Sequence, residues 1–176
     1  MAETRKGEVT MKGNPIELVG PKLQPGDKAP DFSCVDDGLG AITMKDTGGK
    51  VRLFSVVPSL DTPTCNIQTH KFAEQLNALG DKVGAYTISL DLPFAMKRFC
   101  NDANITNMTS LSDAHDHSFG ERYGVLIEGL PIPLLARAIF VVDASDTIRH
   151  VEIVPEIASE PNYETAIAAL KGAAGM

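Results

Sequence analysis

Apolar and polar residues follow two different periods along the first half of the chain. Two β-branched apolar runs, KVRLFSVVP at 50–58 and KVGAYTISLD at 82–91, are typical of buried strands. Between them lies TPTCNIQTHKFAEQLNALG at 62–80, whose apolar residues have helical spacing. This pattern predicts a strand, a helix and a second strand, that is, a β-α-β unit.

The predicted helix carries signals at both ends. Thr62 is suited to the N-cap, Pro63 to the first helical position and Gly80 to the end of the helix. The side chains expected to face inward share helical spacing, and they are Cys65, Phe72, Leu76 and Leu79. The sequence therefore places a cysteine in the first turn of a helix, on its buried side.

Shorter patterns predict the remaining elements. Before the β-α-β unit, the strand-like segments are a hairpin in GEVTMKGNPIELVG at 7–20 around Gly13-Asn14, DFSCV at 31–35 and GAITM at 40–44. After it come a short apolar helix at 92–100, a strand at 108–113, a helical turn at 116–124, a loop at 126–136, two strands with a tight turn at 137–154, and a helix at 162–175 capped by Asn162.

The order of these elements predicts an α/β protein with a thioredoxin-like fold. A β-α-β half followed by a β-β-α half gives a mixed central sheet flanked by helices. Residues 1–20 would add an N-terminal β-hairpin to a single domain spanning 1–176. We find no internal repeat and no linker that would divide the chain.

Composition and charge narrow the range of functions. The chain has 43% apolar and 22% charged residues, as expected of a globular protein, and a net charge of −7. This acidic balance argues against nucleic acid or an anionic membrane as partner. There is neither an apolar run of about 18 residues nor the apolar core of a signal peptide. The expected compartment is the cytoplasm.

The cysteines and histidines do not form a recognisable metal or dithiol motif. The cysteines are Cys34, Cys65 and Cys100, with neither C-x-x-C spacing nor a zinc-like pairing with histidine. The four histidines lack an evident third ligand, and the glycines do not form a phosphate-binding loop before a helix. We therefore expect no metal and no cofactor.

The position of Cys65 favours a reactive thiol. The thiolate is the nucleophile, and an ordinary thiol with a pKa near ~8.5 holds little of it at pH 7. A helix start supplies about 1–2 kcal/mol of the stabilisation that an anion needs, so a cation from elsewhere should supply the rest. Arg137 is the candidate, because it directly precedes the apolar run AIFVVD. The alternative for Arg137 is an exposed strand end.

These residues also carry a resemblance to a known family. Pro58, Thr62 and Cys65 form P-x-x-x-T-x-x-C, which resembles the active-site motif of the peroxiredoxins. The segments SLDTPTCNIQTHKF, SLDLPFAMKRFC and LLARAIFVVD resemble the bacterial thiol peroxidases, the atypical two-cysteine branch. The resemblance runs along nearly the whole chain. Thr64 and Ala73 depart from the residues usual in that branch.

The resemblance implies a reaction and a role for each residue. Cys65 would reduce hydrogen peroxide or an alkyl or lipid hydroperoxide and become a sulfenic acid. Thr62 would bind the peroxide, Arg137 would stabilise the charges, and Pro58 would shield the pocket. Cys100 would form an intramolecular disulfide with Cys65, which thioredoxin would reduce. The family also implies a homodimer and a role in antioxidant defence.

Less reactive interpretations remain for each cysteine. Cys65 could be a small buried apolar residue, and Cys100 could be a core residue of a helix rich in apolar side chains. That helix would be held to the domain by Phe94, Met96 and Phe99. Cys34 is expected to be inert. The alternative functions are a peroxiredoxin without a resolving cysteine and a thioredoxin-fold interaction or chaperone module.

Overall fold

A computed structural model describes residues 3–176, so positions 1 and 2 of the predicted hairpin range lie outside the described residues. The strands are β1 Thr4–Met11, β2 Asn14–Val19, β3 Ser33–Val35, β4 Ala41–Thr43, β5 Val51–Val56, β6 Val83–Ser89, β7 Thr109–Ser112, β8 Leu126–Glu128, β9 Leu134–Leu135, β10 Ala138–Val142 and β11 Ile148–Ile153. The α-helices are α1 Pro63–Leu76, α2 Pro93–Asp102, α3 Ser118–Arg122 and α4 Tyr163–Ala173.

Seven strands form the central sheet, in the order β11-β10-β5-β6-β7-β3-β4. β5 and β6 are parallel, as are β6 and β7, whereas β10 pairs antiparallel with β5. All six residues of β5 are buried, because both faces of this strand are covered. The predicted mixed sheet flanked by helices is confirmed.

The two faces of the sheet have separate apolar cores. On one face, Leu53 of β5 packs in a cluster with Phe72 of α1 and Leu170 of α4. On the other face, Phe54 of β5 packs in a cluster with Tyr123. Neighbouring residues of β5 therefore point to opposite faces, as in any strand. No helix within residues 3–176 is long and apolar enough to cross a bilayer.

The N-terminal hairpin turns one residue earlier than predicted. Met11 pairs with Asn14, so the two turn residues are Lys12 and Gly13 rather than Gly13 and Asn14. Their φ angles are +50° and +82°. Positive φ at both central residues is typical of the type I′ turn, whose twist matches that of a hairpin.

The prediction of a loop over residues 126–136 is wrong. β8 pairs with β2 and β9 pairs with β8, which gives a second sheet in the order β1-β2-β8-β9. These strands have only three and two residues, and Gly129, Pro131 and Pro133 interrupt the apolar pattern between them. β8 pairs with β2 of the hairpin and β9 pairs only with β8, and such pairing between distant segments is not visible in local sequence.

α1 ends at Leu76, four residues before the predicted stop at Gly80. Asn107 caps this end from outside the helix, since its Nδ2 donates to the Ala73 carbonyl (2.7 Å) and to Asn77 Oδ1 (3.0 Å). Carbonyls in the last turn of a helix need partners from outside the helix. At the start of α4, by contrast, Asn162 Oδ1 accepts a bond from the Thr165 N–H (3.1 Å), as the predicted cap requires.

Candidate active site

Cys65 lies in the first turn of α1, where the backbone N–H groups are free to stabilise an anion. The helix begins at Pro63, and the Asn66 N–H makes the first intrahelical bond, to the Thr62 carbonyl (3.0 Å). The N–H groups before Asn66 have no partner within the helix and carry its positive end. The Cys65 side chain is fully buried and packs with Val57, Leu60 and Met96.

Arg137, the residue directly before β10, points at Cys65. Its Nη1 lies 3.4 Å from Cys65 Sγ and 2.9 Å from Gln68 Oε1, and its Nε donates to the Ile157 carbonyl at 2.9 Å. Only 2% of Arg137 is exposed, which excludes the exposed strand end. A buried guanidinium attracts a negative charge beside it strongly, because water is excluded there.

Gln68 and Ser55 complete this arrangement, and the sequence interpretation missed both. Gln68 Nε2 donates to Ser55 Oγ (2.8 Å), and both side chains are fully buried. With its amide N–H group held by Ser55, the Gln68 carbonyl oxygen faces Arg137. One signal for Gln68 was available, since a polar residue three positions after Cys65 lies on the same helix face. Ser55 lies in an apolar strand, and no feature of the sequence pointed to its role.

Thr62 occupies the N-cap position with an extended backbone (φ −97°, ψ 147°), but its side chain does not cap the helix. The hydroxyl instead donates to the Ser59 carbonyl at 2.9 Å. The predicted capping bond is therefore wrong, and the lone pairs of the hydroxyl stay available to a donor from outside. Thr62 is exposed, whereas Pro58 at the other end of the same loop is buried.

Asp91 anchors the loop that carries Pro58 and Thr62, and it was also missed. Its carboxylate accepts bonds from Ser59 Oγ (2.8 Å), the Leu60 N–H (2.8 Å) and Ser89 Oγ (2.9 Å). Asp91 directly precedes Leu92, the N-cap residue of α2. One carboxylate thus links the loop before Cys65 to the start of the helix that carries Cys100.

The structure does not bring Cys100 to Cys65. Both are free thiols, and Cys100 Sγ lies 3.2 Å from Ser110 Oγ on β7. Cys100 and Ser110 line a cavity of about 210 Å³ that also includes Lys97. The reduced Cys100 is therefore held against the sheet by a contact with β7.

The packing of α2 differs from the expectation. Met96 is 1% exposed and reaches the cluster around Cys65, but Phe94 is 64% exposed and Leu92 is 60% exposed. The predicted role of Phe94 in holding the helix is therefore wrong. Phe94 is the second residue of α2 and points away from the sheet, so Met96 and the half-buried Phe99 provide the apolar contacts.

Cys34 has the surroundings of a structural thiol. It is fully buried, and its Sγ lies 3.7 Å from Asp113 Oδ1. Burial, and then the nearby Asp113 carboxylate, raise the pKa of the Cys34 thiol far above its ordinary value. A thiol in that state is a poor nucleophile. Across residues 3–176, no cluster of histidine, cysteine and acidic side chains could hold a metal ion.

The chain is similar to known proteins over nearly its whole length. Residues 24–167 match the family model described as Redoxin. A thiol peroxidase of Halalkalibacterium halodurans is 50% identical over 94% of this chain and 98% of its own. A thiol peroxidase of Streptococcus pneumoniae is 50% identical over 93% and 98%. The crystal structure of a peroxiredoxin-like protein from Aquifex aeolicus superposes with a TM-score of 0.87 at 42% identity, covering 96% of this chain and 98% of that one.

Proposed function

The chain belongs to the redoxin family and is a thiol-dependent peroxidase of the peroxiredoxin type, and we propose that Cys65 is the residue that reduces the hydroperoxide. The observation that carries the proposal is the 3.4 Å contact between Arg137 Nη1 and Cys65 Sγ. It combines with the first turn of α1 to favour the thiolate, and the thiolate is the form that attacks a peroxide.

In the first step, the Cys65 thiolate attacks the nearer oxygen of the O–O bond. A sulfur–oxygen bond forms, the O–O bond breaks, and its electron pair leaves on the alkoxide oxygen. A proton converts that oxygen into an alcohol, or into water when the substrate is hydrogen peroxide. Arg137 stabilises the negative charge as it moves from sulfur to the leaving oxygen, and a donor held in advance for such a charge lowers the barrier most.

Thr62 and Pro58 position and protect the substrate in this proposal. The Thr62 hydroxyl already donates to Ser59, so its oxygen is oriented to accept a bond from the peroxide O–H group. Thr62 is exposed, so the peroxide enters from its side of the loop. Pro58 is buried and keeps water from the sulfur, which strengthens the interactions of Arg137 there.

In the second step, Cys100 attacks the Cys65 sulfenic acid, so that a disulfide forms and water leaves. A disulfide requires Cα atoms within about 7 Å of each other. Because the Cys100 thiol contacts Ser110 in the reduced state, α2 has to unwind or turn before the two sulfur atoms meet. A dithiol reductant then returns both cysteines to thiols.

The family implies a hydroperoxide as substrate and a thioredoxin-type reductant. More specifically, we propose hydrogen peroxide and alkyl or lipid hydroperoxides as substrates, thioredoxin as the reductant, and a homodimer as the assembly. The cytoplasm is the proposed compartment, since reduced thioredoxin is maintained in reducing compartments. The resemblance of the motif segments supports these finer proposals.

The test is to count the free thiols before and after one equivalent of peroxide, with mass spectrometry to identify the modified residues. The expected result is a loss of two thiols, joined as a Cys65–Cys100 disulfide. The Cys100→Ser variant should lose one thiol and hold a sulfenic acid at Cys65. Loss of one thiol in the parent would instead indicate a peroxidase without a resolving cysteine. No loss would contradict the proposed role of Cys65.

A further inference from the structure

The segment between β11 and α4 supports Arg137 through a backbone carbonyl. The Ile157 carbonyl accepts the bond from Arg137 Nε at 2.9 Å. The N–H of the same residue donates to the Thr10 carbonyl (2.9 Å), and the Thr10 N–H donates to the Pro155 carbonyl (2.7 Å). Thr10 belongs to β1, so the N-terminal hairpin pairs with the peptide that holds the arginine.

Glu156 strengthens this connection through its carboxylate. Oε1 accepts bonds from Thr10 Oγ1 (3.0 Å) and the Gly13 N–H (2.9 Å), while Oε2 accepts a bond from the Ala158 N–H (2.8 Å). The N–H groups of Ala158 and Gly13 lower the pKa of Glu156 to about 2. The carboxylate is therefore ionised at every pH at which the protein would work.

The same segment also contacts the helix that carries Cys65. Thr64 Oγ1 donates to the Ala158 carbonyl at 3.1 Å. Thr64 is the residue directly before Cys65 in the first turn of α1. Residues 155–158 are therefore bonded to the hairpin, to Arg137 and to the residue beside Cys65.

We propose that Glu156 and Thr10 are positioning residues for Arg137, and that the N-terminal hairpin is part of the scaffold of the active site. The inference rests on the proposed role of Arg137. Since Ile157 is held by Thr10 on its N–H side and by Arg137 on its carbonyl side, a shift of the segment moves the guanidinium relative to Cys65. A displacement of about 1 Å at a catalytic group can reduce a rate by up to ~100-fold.

The charges around Arg137 allow a test that depends on the direction in which the pH midpoint of Cys65 alkylation moves. The charged group beside Arg137 is Glu160, which pairs with Lys71 Nζ (2.9 Å), while the Glu156 carboxylate is bonded to Thr10, Gly13 and Ala158. Removal of the Glu156 charge by itself can only favour a Cys65 thiolate, because one negative charge disfavours another. Release of Arg137 would have the opposite effect. Glu156→Gln would therefore lower the pH midpoint through the lost charge and raise it through the release of Arg137.

The experiment measures the alkylation rate of Cys65 against pH in a Cys100→Ser background, with mass spectrometry to assign the site. The variants are Glu156→Gln, Glu156→Ala and Thr10→Val. The last keeps all charges and the backbone bonds of Thr10, and it removes only the hydroxyl bonds to Glu156 and to the Pro155 carbonyl. Glu17→Gln is the matched control, because Glu17 lies in the same hairpin and pairs with the exposed Lys6 at 3.1 Å. The expected result is a higher pH midpoint in the three variants and an unchanged midpoint in the control.

The rate of the reaction with peroxide should fall by about tenfold in the three variants and stay unchanged in the control. An unchanged or lower midpoint in both Glu156→Gln and Thr10→Val would overturn the proposal. Arg137→Ala in the same series tests the role of Arg137 separately from the positioning role of the hairpin. If Arg137→Ala raises the midpoint and the Thr10 and Glu156 variants do not, the hairpin has no positioning role. If Arg137→Ala itself has no effect, the proposed role of Arg137 fails.

Discussion

The guanidinium of Arg137 lies 3.4 Å from the sulfur of Cys65, although the two residues are 72 positions apart in the chain. A buried guanidinium is costly unless it is paired and hydrogen-bonded. Here Gln68 and the Ile157 carbonyl provide the other bonds, so the charge is held in place before a substrate arrives. The proposed reactivity of the Cys65 thiol therefore depends on contacts from three separate parts of the chain.

Replacement of Arg137 by alanine should raise the pH midpoint at which Cys65 is alkylated, because the thiolate would lose the positive charge beside it and keep only the helix start. Alkylation rates measured from pH 5 to 9 would report the change. Arg149→Ala is the control, since Arg149 is exposed and pairs with Asp143. An unchanged midpoint would remove Arg137 from the mechanism.

Thr62→Val should reduce peroxidase turnover by about 100-fold while the free energy of unfolding changes little. The Thr62 hydroxyl makes a bond to Ser59 and no capping bond, so the helix loses no cap with it. Steady-state kinetics and urea unfolding would be compared with Thr62→Ser, which keeps the hydroxyl and should remain active. A large loss of stability with nearly normal turnover would mean that Thr62 has a structural role alone.

Asp91→Ala should slow the reaction of Cys65 with peroxide by about tenfold, because the loop before Cys65 loses its bonds to the carboxylate and no longer orients its groups. Disulfide formation should not slow, since the start of α2 becomes freer. Stopped-flow measurement of the two steps would test this. Asp36→Ala is the control, as Asp36 binds the Gly38 and Gly40 N–H groups of a different turn. Equal slowing of both steps would indicate general destabilisation.

Replacement of Asn101 and Asp102 by alanine should slow disulfide formation and increase overoxidation of Cys65 at excess peroxide. Both residues are exposed in the last turn of α2, where asparagine and aspartate weaken a helix. A firmer helix leaves the sulfenic acid exposed to further peroxide for longer. Stopped-flow kinetics and mass spectrometry provide the two readouts.

The control for the α2 variant is alanine at Glu74 and Gln75, two exposed positions of α1. It should leave the rate of resolution unchanged. Hydrogen exchange should also show less protection of residues 91–104 in the oxidised protein than in the reduced one, with β5 and β6 unaffected. A double variant that resolves as fast as the parent would show that the end of α2 does not control this step.

His150 should make the protein less stable as the pH falls below neutrality. Burial lowers the pKa of His150 below its ordinary value of 6.5, although Glu152 acts in the opposite direction. Among the described residues, its buried Nε2 has no hydrogen-bond partner. The unfolded chain therefore takes up a proton first, and stability is lost as the pH falls from about 6.5 through the lower folded-state value.

The free energy of unfolding should fall less steeply between pH 7 and pH 5 in the His150→Gln variant than in the parent. Urea unfolding at several pH values measures this slope. His115→Gln is the control, because His115 is exposed. Equal slopes in the parent and the His150 variant would contradict the prediction.

The order of buried strands and amphipathic helices, and the place of Cys65 in a first helical turn, followed from the sequence alone. These features depend on local periodicity and on residues such as Pro63, whose backbone preference acts within a few positions. The resemblance to the family motif added Thr62 and Pro58 as candidate site residues. Arg137 could also be predicted from the sequence, because a charge next to an apolar strand has to be either exposed or paired.

The tertiary structure alone decided the contacts between distant segments. β8 pairs with the hairpin and β9 with β8, and Asn107 bonds to the last turn of α1. Gln68, Ser55 and Asp91 acquire their roles only when strands bring their partners within hydrogen-bond distance. Such bonds have no local period in the sequence, since each joins residues whose separation is set by the topology of the sheet. The same holds for the link from Thr10 through Ile157 to Arg137, which the fold assembles from the two ends of the chain.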